Sequence, residues 1–254
     1  ASPAHNAAYP AGLSSSGYPL VAWDEYVHPL GRTVCCQHAT LDAGAFETCT
    51  TGVSDEGNLG SGIRLWPQPA TDQLQLTLST AAKVHGPITV LVNNAANDKR
   101  HDTLTTDEAL WDWSMAVNLK SYFFACQSVL PGMKAAGGGS IINFSSISFM
   151  MADAGYASYI TANAGIVGMT RTLAREFGPD RIRVNAVAPG WVMTDKQKEL
   201  WVTPEGLARH LERQCIPDPI QPSDMTGVVL FLASQASRMM TSQTLVLDGG
   251  YISS

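Results

Sequence analysis

Two hydroxyl-bearing residues in the segment 137–168 have the spacing of a site for proton exchange. Ser146 follows an apolar run, residues 140–144, which is typical of a buried strand. Tyr159 comes thirteen residues later, within a helical pattern over 155–177. A strand followed by a helix is expected to place both side chains at the carboxyl edge of a parallel sheet, where open α/β sheets bind ligands.

Tyr159 can exchange a proton with a carbonyl or an alcohol only if its pKa is moved toward neutrality. The ordinary pKa of a tyrosine is about 10, which makes the phenol a poor base near pH 7. A neighbouring ammonium would lower this pKa, but the residue one helical turn later is Asn163. Without a shift of ~2–3 pKa units, roughly 3–4 kcal/mol of phenolate stabilisation is lost. The corresponding rate loss is on the order of 10²–10³.

Strands and helices alternate from about residue 70 onward. Apolar runs predict strands over 88–92, 140–144, 182–188 and 244–247, and helical spacing predicts helices over 71–84, 111–135, 155–177 and 224–234. This order predicts an α/β fold with a doubly wound, mostly parallel sheet in a single domain over 1–254. Residues 1–68 are atypical, with poor apolar periodicity and short strands predicted only at 20–23 and 33–36.

Composition excludes several classes of function. The net charge is -6, so a basic surface for nucleic acid is not expected. No apolar run reaches the ~18–20 residues that a membrane span needs. The five cysteines are scattered and odd in number, which favours neither a disulfide framework nor a metal site and indicates the reducing cytoplasm.

Several short motifs occur in an order that resembles the short-chain dehydrogenase/reductase family over about residues 70–251. They are Asn93-Asn94-Ala95-Ala96, Asn118, the pair Ser146 and Tyr159, and the segment 189–194. The thirteen-residue offset selects Ser146 over its neighbours Ser145 and Ser148. The resemblance implies hydride transfer between NAD or NADP, with a slight preference for NAD, and an alcohol or carbonyl substrate.

The resemblance also implies roles for individual residues. The implied catalytic set is Ser146, Tyr159, Asn118 as the holder of a relay water, and Asn163 where the family has lysine. The implied cofactor-binding set is Asn93, Ala95, Tyr159, Asn163, Pro189, Gly190, Val192 and Thr194. The family commonly forms tetramers through its two long helices, so a homo-oligomer is expected.

A narrower resemblance concerns family members that oxidise aldose sugars at C1. The run from Asn93 to Asp98 followed by His101 is similar to that subset, as are the segments 201–206 and 214–215. The implied substrate contacts are Asn97, Asp98, His101 and Trp191. Solvated loop polarity is the alternative interpretation of the three loop residues.

The phosphate-binding turn of the family is not recognisable in the first third of the chain. It would be needed near residues 12–22, where Pro19 blocks a helix, and the glycine-rich segment 57–62 lies too close to Asn93 and is interpreted as a surface loop. We hypothesise that residues 5–68 have diverged or derive from a disrupted coding region. A second hypothesis is therefore a catalytically impaired relative that serves as a binding or oligomer-partner subunit. A third is an α/β protein that binds a nucleotide other than nicotinamide.

Overall fold

The computed structural model describes part of the chain. It gives the backbone of residues 19–28, 31–40 and 46–50, and the backbone and side chains of residues 78, 81–83, 86–151 and 153–252. The helix predicted over 71–84 is helical at 78 and 81–83, and its other positions lie outside the described residues. The segments 12–18 and 57–62 also lie outside them.

Four parallel strands form the part of the sheet that carries the site. They are β4 (Val90–Asn93), β5 (Gly139–Phe144), β6 (Ile182–Pro189) and β7 (Thr244–Leu247), adjacent in that order. Asn93 lies opposite Asn143 in the register of β4 and β5, and Asn143 lies opposite Ala186 in β6. The carboxyl ends of β4, β5 and β6 therefore lie side by side, as the sequence predicted.

Three further strands precede this group. β1 (Pro19–His28) is parallel to β4, β2 (Gly31–Thr40) is antiparallel to β1, and β3 (Phe46–Thr50) is antiparallel to β2. The short strands predicted at 20–23 and 33–36 fall within β1 and β2. Because His28 pairs with Gly31, only two residues separate β1 from β2, whereas a parallel pair needs a long crossover.

Helices pack on both faces of the sheet. The helix predicted over 111–135 is divided into α1 (Glu108–Met115), a π-helical turn (Ala116–Lys120) and α2 (Ser121–Ala135). The others are α3 (Ser148–Met151), α4 (Ala157–Phe177), α5 (Asp195–Leu200), α6 (Pro204–Leu211) and α7 (Asp224–Ala233), with 3-10 turns at Gly178–Asp180 and Gln235–Ser237. Asp107 caps α1, because its carboxylate accepts from Leu110 N and the helix begins at Glu108.

Two hydrophobic clusters show why the sheet is doubly wound. Successive side chains of a strand point to opposite faces, and Leu91 and Ile141 join one cluster while Val92 and Ile142 join the other. The first cluster contains residues of α2 and α4, and the second contains Leu232 of α7. No helix among the described residues is both long and apolar enough to cross a membrane, and the same residues form no group of potential metal ligands.

Candidate active site

Ser146 and Tyr159 meet at the carboxyl edge of β5, as their spacing predicted. The Ser146 hydroxyl accepts a hydrogen bond from Ser148 N at 3.1 Å, which fixes the turn after the strand. The neighbouring hydroxyl of Ser145 donates to the carbonyl of Asn163 at 2.9 Å and is therefore directed into the protein. This arrangement leaves Ser146, rather than Ser145, as the serine that bonds the Tyr159 side chain.

The surroundings of Tyr159 keep its phenol protonated. Burial raises the pKa of Tyr159 above its ordinary value, and the negative charge of Asp98 raises it further. Hydrogen bonds from Ser146 and Asn163 and the positive charge of Arg100 act to lower this pKa, but they do not outweigh the first two effects. Tyr159 can therefore donate a proton near neutral pH far more readily than it can accept one.

Asn163 occupies the position where an ammonium would act on Tyr159. Its side chain is 3% exposed, and its Nδ2 donates to the carbonyl of Tyr159 at 2.9 Å, one turn back on α4. The amide thus stays close to the tyrosine and supplies a hydrogen bond without supplying a charge. Burial and the charge of Asp98 therefore keep the pKa of Tyr159 raised despite the hydrogen bond from Asn163.

Asn118 is locked to the loop that follows β4. It lies in the π-helical turn and is 1% exposed. Its Oδ1 accepts from Asn97 N at 2.7 Å, and its Nδ2 donates to Asn97 O at 3.1 Å and to Ser114 O at 2.9 Å. π-helical turns are frequent at functional sites because they redirect a side chain out of the regular helical ladder. The predicted relay water stays a prediction.

A polar cluster joins the same loop to α5. The Asp98 carboxylate accepts from Lys196 Nζ at 2.9 Å on one oxygen and from Gln197 Nε2 at 2.9 Å on the other. Gln197 Oε1 in turn accepts from the indole N–H of Trp191 at 2.8 Å. Burial opposes ionisation of Asp98, but the charge of Lys196 and the hydrogen bonds from Lys196 and Gln197 hold its pKa below the usual range. Two of the predicted substrate contacts, Asp98 and Trp191, are thus joined through one glutamine.

A cavity of about 730 Å³ lies beside this cluster. The loop after β4 contributes Asn97, Asp98 and Arg100 to its lining, and α5 and the residue after it contribute Leu200 and Trp201. The volume is within the range of small-molecule sites, and the mixture of apolar walls and polar groups suits a ligand with several hydroxyls.

Two contacts near Tyr159 were not predicted from the sequence: the ring of Tyr156 stacks on Tyr159, and the guanidinium of Arg100 packs on Tyr156. The Tyr156 ring lies 5.6 Å from the Tyr159 ring at an interplanar angle of 20°, and Arg100 Cζ lies 3.7 Å from the centroid of Tyr156. Arg100 also faces the ring of Trp201 at 5.3 Å. The three-residue spacing of Tyr156 and Tyr159 on one helix could have indicated the ring pair, but no sequence signal places Arg100 on it.

The predicted cofactor residues lie along the ends of β4 and β6. Asn93 is 2% exposed, and its Nδ2 donates to Asn143 Oδ1 at 2.8 Å, so its side chain lies in the interior. A Cβ on Gly190 would meet Asp248 Cβ at 2.9 Å, which explains the glycine as a close backbone approach. Thr194 caps α5 by accepting from Gln197 N. Ala95 and Val192 are both half-buried, and Val192 forms an isolated bridge with Ile220.

The hydrogen-bonding groups of the described residues suit only the nicotinamide half of a nicotinamide dinucleotide. The hydroxyls of Ser146 and Tyr159, the amide of Asn163 and the turn after β6 offer the hydrogen bonds that a ribose and a carboxamide need. The diphosphate half needs a helix N-terminus after the first strand. The two-residue connection between β1 and β2 has no room for a helix, so the described residues supply no phosphate cradle there.

Curated relatives match about 65% of this chain. A protein of Rhizobium meliloti (strain 1021), described as a probable galactose dehydrogenase, is 49% identical over 165 residues, covering 65% of this chain and 64% of the relative. D-xylose 1-dehydrogenase of Caulobacter vibrioides is 48% identical over 166 residues, covering 65% of this chain and 66% of the relative. The matched region spans slightly less than two thirds of the length of these relatives.

Solved structures and a family model support the same assignment. A structure from Sinorhizobium meliloti 1021, provisionally described as a short-chain alcohol dehydrogenase, superposes with a TM-score of 0.69 at 33% identity, over 71% of this chain and 72% of the other. A family model described as enoyl-(acyl carrier protein) reductase matches residues 70–252. With this match, the chain belongs to the short-chain dehydrogenase/reductase family.

Proposed function

We propose that the protein is an oxidoreductase that transfers a hydride between a nicotinamide cofactor and an alcohol or carbonyl substrate. The observation that carries this proposal is that the side chains of Ser146 and Asn163 both lie close enough to the Tyr159 hydroxyl to lower its pKa by hydrogen bonding. Asn118, locked to the loop at Asn97, completes the set of four predicted groups. In this proposal Ser146 orients the substrate oxygen, Tyr159 exchanges its proton, and Asn163 bonds the cofactor ribose.

The bound nicotinamide would supply or accept the hydride, while residues of this chain hold the ring and move the proton. We assign one side of the nicotinamide ring to the turn formed by Pro189, Gly190, Val192 and Thr194. We assign its opposite side to the backbone at Asn93 and Ala95. Since the pKa of Tyr159 is raised, the site donates a proton to a carbonyl more readily than it accepts one from an alcohol near neutral pH.

The substrate class in this proposal is an aldose sugar. Two relatives are described as galactose and xylose dehydrogenases, which supports the class, and the cavity beside Asp98 carries polar groups suited to sugar hydroxyls. Asn97 and Asp98 line that cavity. Gln197 links the Trp191 indole to the Asp98 carboxylate by hydrogen bonds. His101 has both ring nitrogens in hydrogen bonds within the protein, so we do not retain it as a substrate contact.

Several finer points belong to the same proposal. We propose NAD in preference to NADP, a single domain over 1–254, a cytoplasmic location and a homotetramer. The location is supported by the free thiols of Cys126 and Cys215. The oligomer is supported by the exposed aromatic side chains of Trp111 and Phe123 on the helical segment predicted as interface.

The competing function is that of a catalytically impaired binding or oligomer-partner subunit. The uncharged Asn163 and the close connection between β1 and β2 favour it. Titration of the intrinsic tryptophan fluorescence with NAD, NADH, NADP and NADPH separates the two. Saturable binding together with turnover of D-galactose or D-xylose supports the enzymatic function. The absence of binding by all four nucleotides would support the function of a partner subunit.

A further inference from the structure

We infer that His101 is a positioning residue that fixes both Asn118 and the start of the helix that carries Tyr159. The imidazole does so as the neutral tautomer with its proton on Nδ1. The functional consequence rests on the proposed function, because Asn118 and Tyr159 are catalytic only if that proposal holds. The hydrogen-bond arrangement itself stands on the structure alone.

The outer contact of the ring determines the tautomer. Thr106 Oγ1 donates to the carbonyl of Asp102 at 2.6 Å and therefore has no proton left for the imidazole. His101 Nδ1 lies 2.6 Å from Thr106 Oγ1, so Nδ1 must donate to this hydroxyl oxygen. His101 and Thr106 line a second, smaller cavity of about 320 Å³ with Trp111, and the ring does not line the cavity beside Asp98.

The inner contact requires Nε2 to be free of a proton. The backbone N–H of Ser158 donates to Nε2 at 3.3 Å, and a backbone amide can only donate. Ser158 is in the first turn of α4, where N–H groups have no partner within the helix. Tyr156, at the capping position, makes no side-chain hydrogen bond of this kind. His101, which is not part of α4, thus caps this helix by accepting from Ser158, the residue before Tyr159.

The same nitrogen begins a buried chain of hydroxyls that leads to Asn118. Nε2 holds Ser158 through its backbone N–H and lies 3.0 Å from Ser158 Oγ, which donates to Ser114 Oγ at 2.8 Å. Ser114 Oγ accepts from Asn118 Nδ2 at 3.2 Å. The two serines are 1% and 4% exposed, so water cannot readily replace a missing member. One imidazole therefore supports two of the four predicted catalytic groups.

Two amide variants of His101 separate its two nitrogens. In His101→Gln the side-chain oxygen can reach the position of Nε2 and accept from Ser158. In His101→Asn the shorter amide reaches only the position of Nδ1 and Thr106. We expect His101→Gln to keep kcat within about threefold, and His101→Asn to lose roughly tenfold to a hundredfold in kcat while KM for sugar and nucleotide stays nearly constant. A direct contact with the substrate would instead raise KM for the sugar in both variants, which would overturn the inference.

A measurement independent of turnover distinguishes this inference from the proposed function. ¹⁵N-histidine NMR of the full chain should show Nδ1 protonated and Nε2 unprotonated for His101. The side-chain amide signals of Asn118 should shift in His101→Asn and remain in place in His101→Gln. An Nε2-protonated tautomer, or Asn118 signals unchanged in His101→Asn, would overturn the inference. A wild-type protein without turnover would overturn the proposed function, while the NMR result would still decide the role of His101.

Discussion

Replacing Asn163 with lysine should restore the charge that Tyr159 lacks. Asn163 lies one turn after Tyr159 on α4, and its amide already bonds the tyrosine carbonyl. The longer lysine side chain can reach past the backbone, so we expect its ammonium at about 4–5 Å from the phenol oxygen, a distance at which a charge shifts a pKa. It would oppose burial and the charge of Asp98, which together raise the tyrosine pKa.

The size of the effect follows from Coulomb's law. With an effective dielectric constant of ~20, a unit charge at that distance stabilises phenolate by roughly 3–4 kcal/mol, or about 2–3 pKa units. Desolvation offsets part of this gain, since residue 163 is 3% exposed and an ammonium there loses hydration. We therefore expect a net fall of about 1–2 pKa units for Tyr159 and a rise in sugar oxidation of roughly tenfold to a hundredfold near pH 7.

The assay combines a titration with initial rates. Ultraviolet difference spectra of phenolate formation, with the corresponding Tyr159→Phe protein as reference, give the pKa of Tyr159 directly. Asn163→Met is the matched control, because methionine is nearly as long as lysine and carries no charge. A pKa that is the same in Asn163→Lys and Asn163→Met, or turnover that does not rise, would refute the account of Tyr159.

Three further predictions follow from other groups near the site. Asp98→Asn removes a negative charge that raises the pKa of Tyr159, so the phenolate titration should move to lower pH; a shift to higher pH would contradict the assigned sign. The pKa of Asp98 itself is lowered in the folded protein, so its contribution to stability should be complete above the ordinary carboxyl pKa near 4 and lost as the pH falls below it. Urea unfolding should therefore find wild type more stable than Asp98→Asn by roughly 1–2 kcal/mol at pH 7 and by less at pH 3, and an equal difference at both would contradict the ion pair with Lys196. Burial raises the pKa of the Cys126 thiol to about 12, so peptide mass spectrometry after alkylation of the native protein at pH 8 should find Cys215 modified and Cys126 intact.

The sequence predicted those parts of the fold and site that depend on local spacing. Apolar runs located β4, β5 and β6 because a parallel strand buried on both faces needs consecutive apolar residues. A similar run located β7, although this strand is only half-buried. The offset between Ser146 and Tyr159 spans one strand-to-helix connection, so its geometry follows from local structure. The departure at Asn163 was visible for the same reason, since residues four apart on a helix lie together.

Contacts between distant segments could not be predicted in this way. The bond between Asp98 and Lys196 joins residues 98 positions apart, and it depends on how α5 packs against the loop after β4. The resemblance to aldose dehydrogenases implied a sugar contact for His101, and no local pattern indicated that the fold brings Ser158 against its Nε2 from 57 positions away. The π-helical turn at Asn118 also lacks a sequence signal, since the apolar pattern continues through it.

The most direct test of the proposed function compares wild type with Tyr159→Phe for the formation of reduced nicotinamide from NAD or NADP and D-galactose or D-xylose. The variant removes one hydroxyl from the site and leaves the ring that stacks on Tyr156. The proposal predicts turnover by wild type that rises toward alkaline pH, and a loss of at least about a hundredfold in Tyr159→Phe with nucleotide binding unchanged. Equal rates in the two proteins, or wild-type protein that binds neither nucleotide, would contradict it.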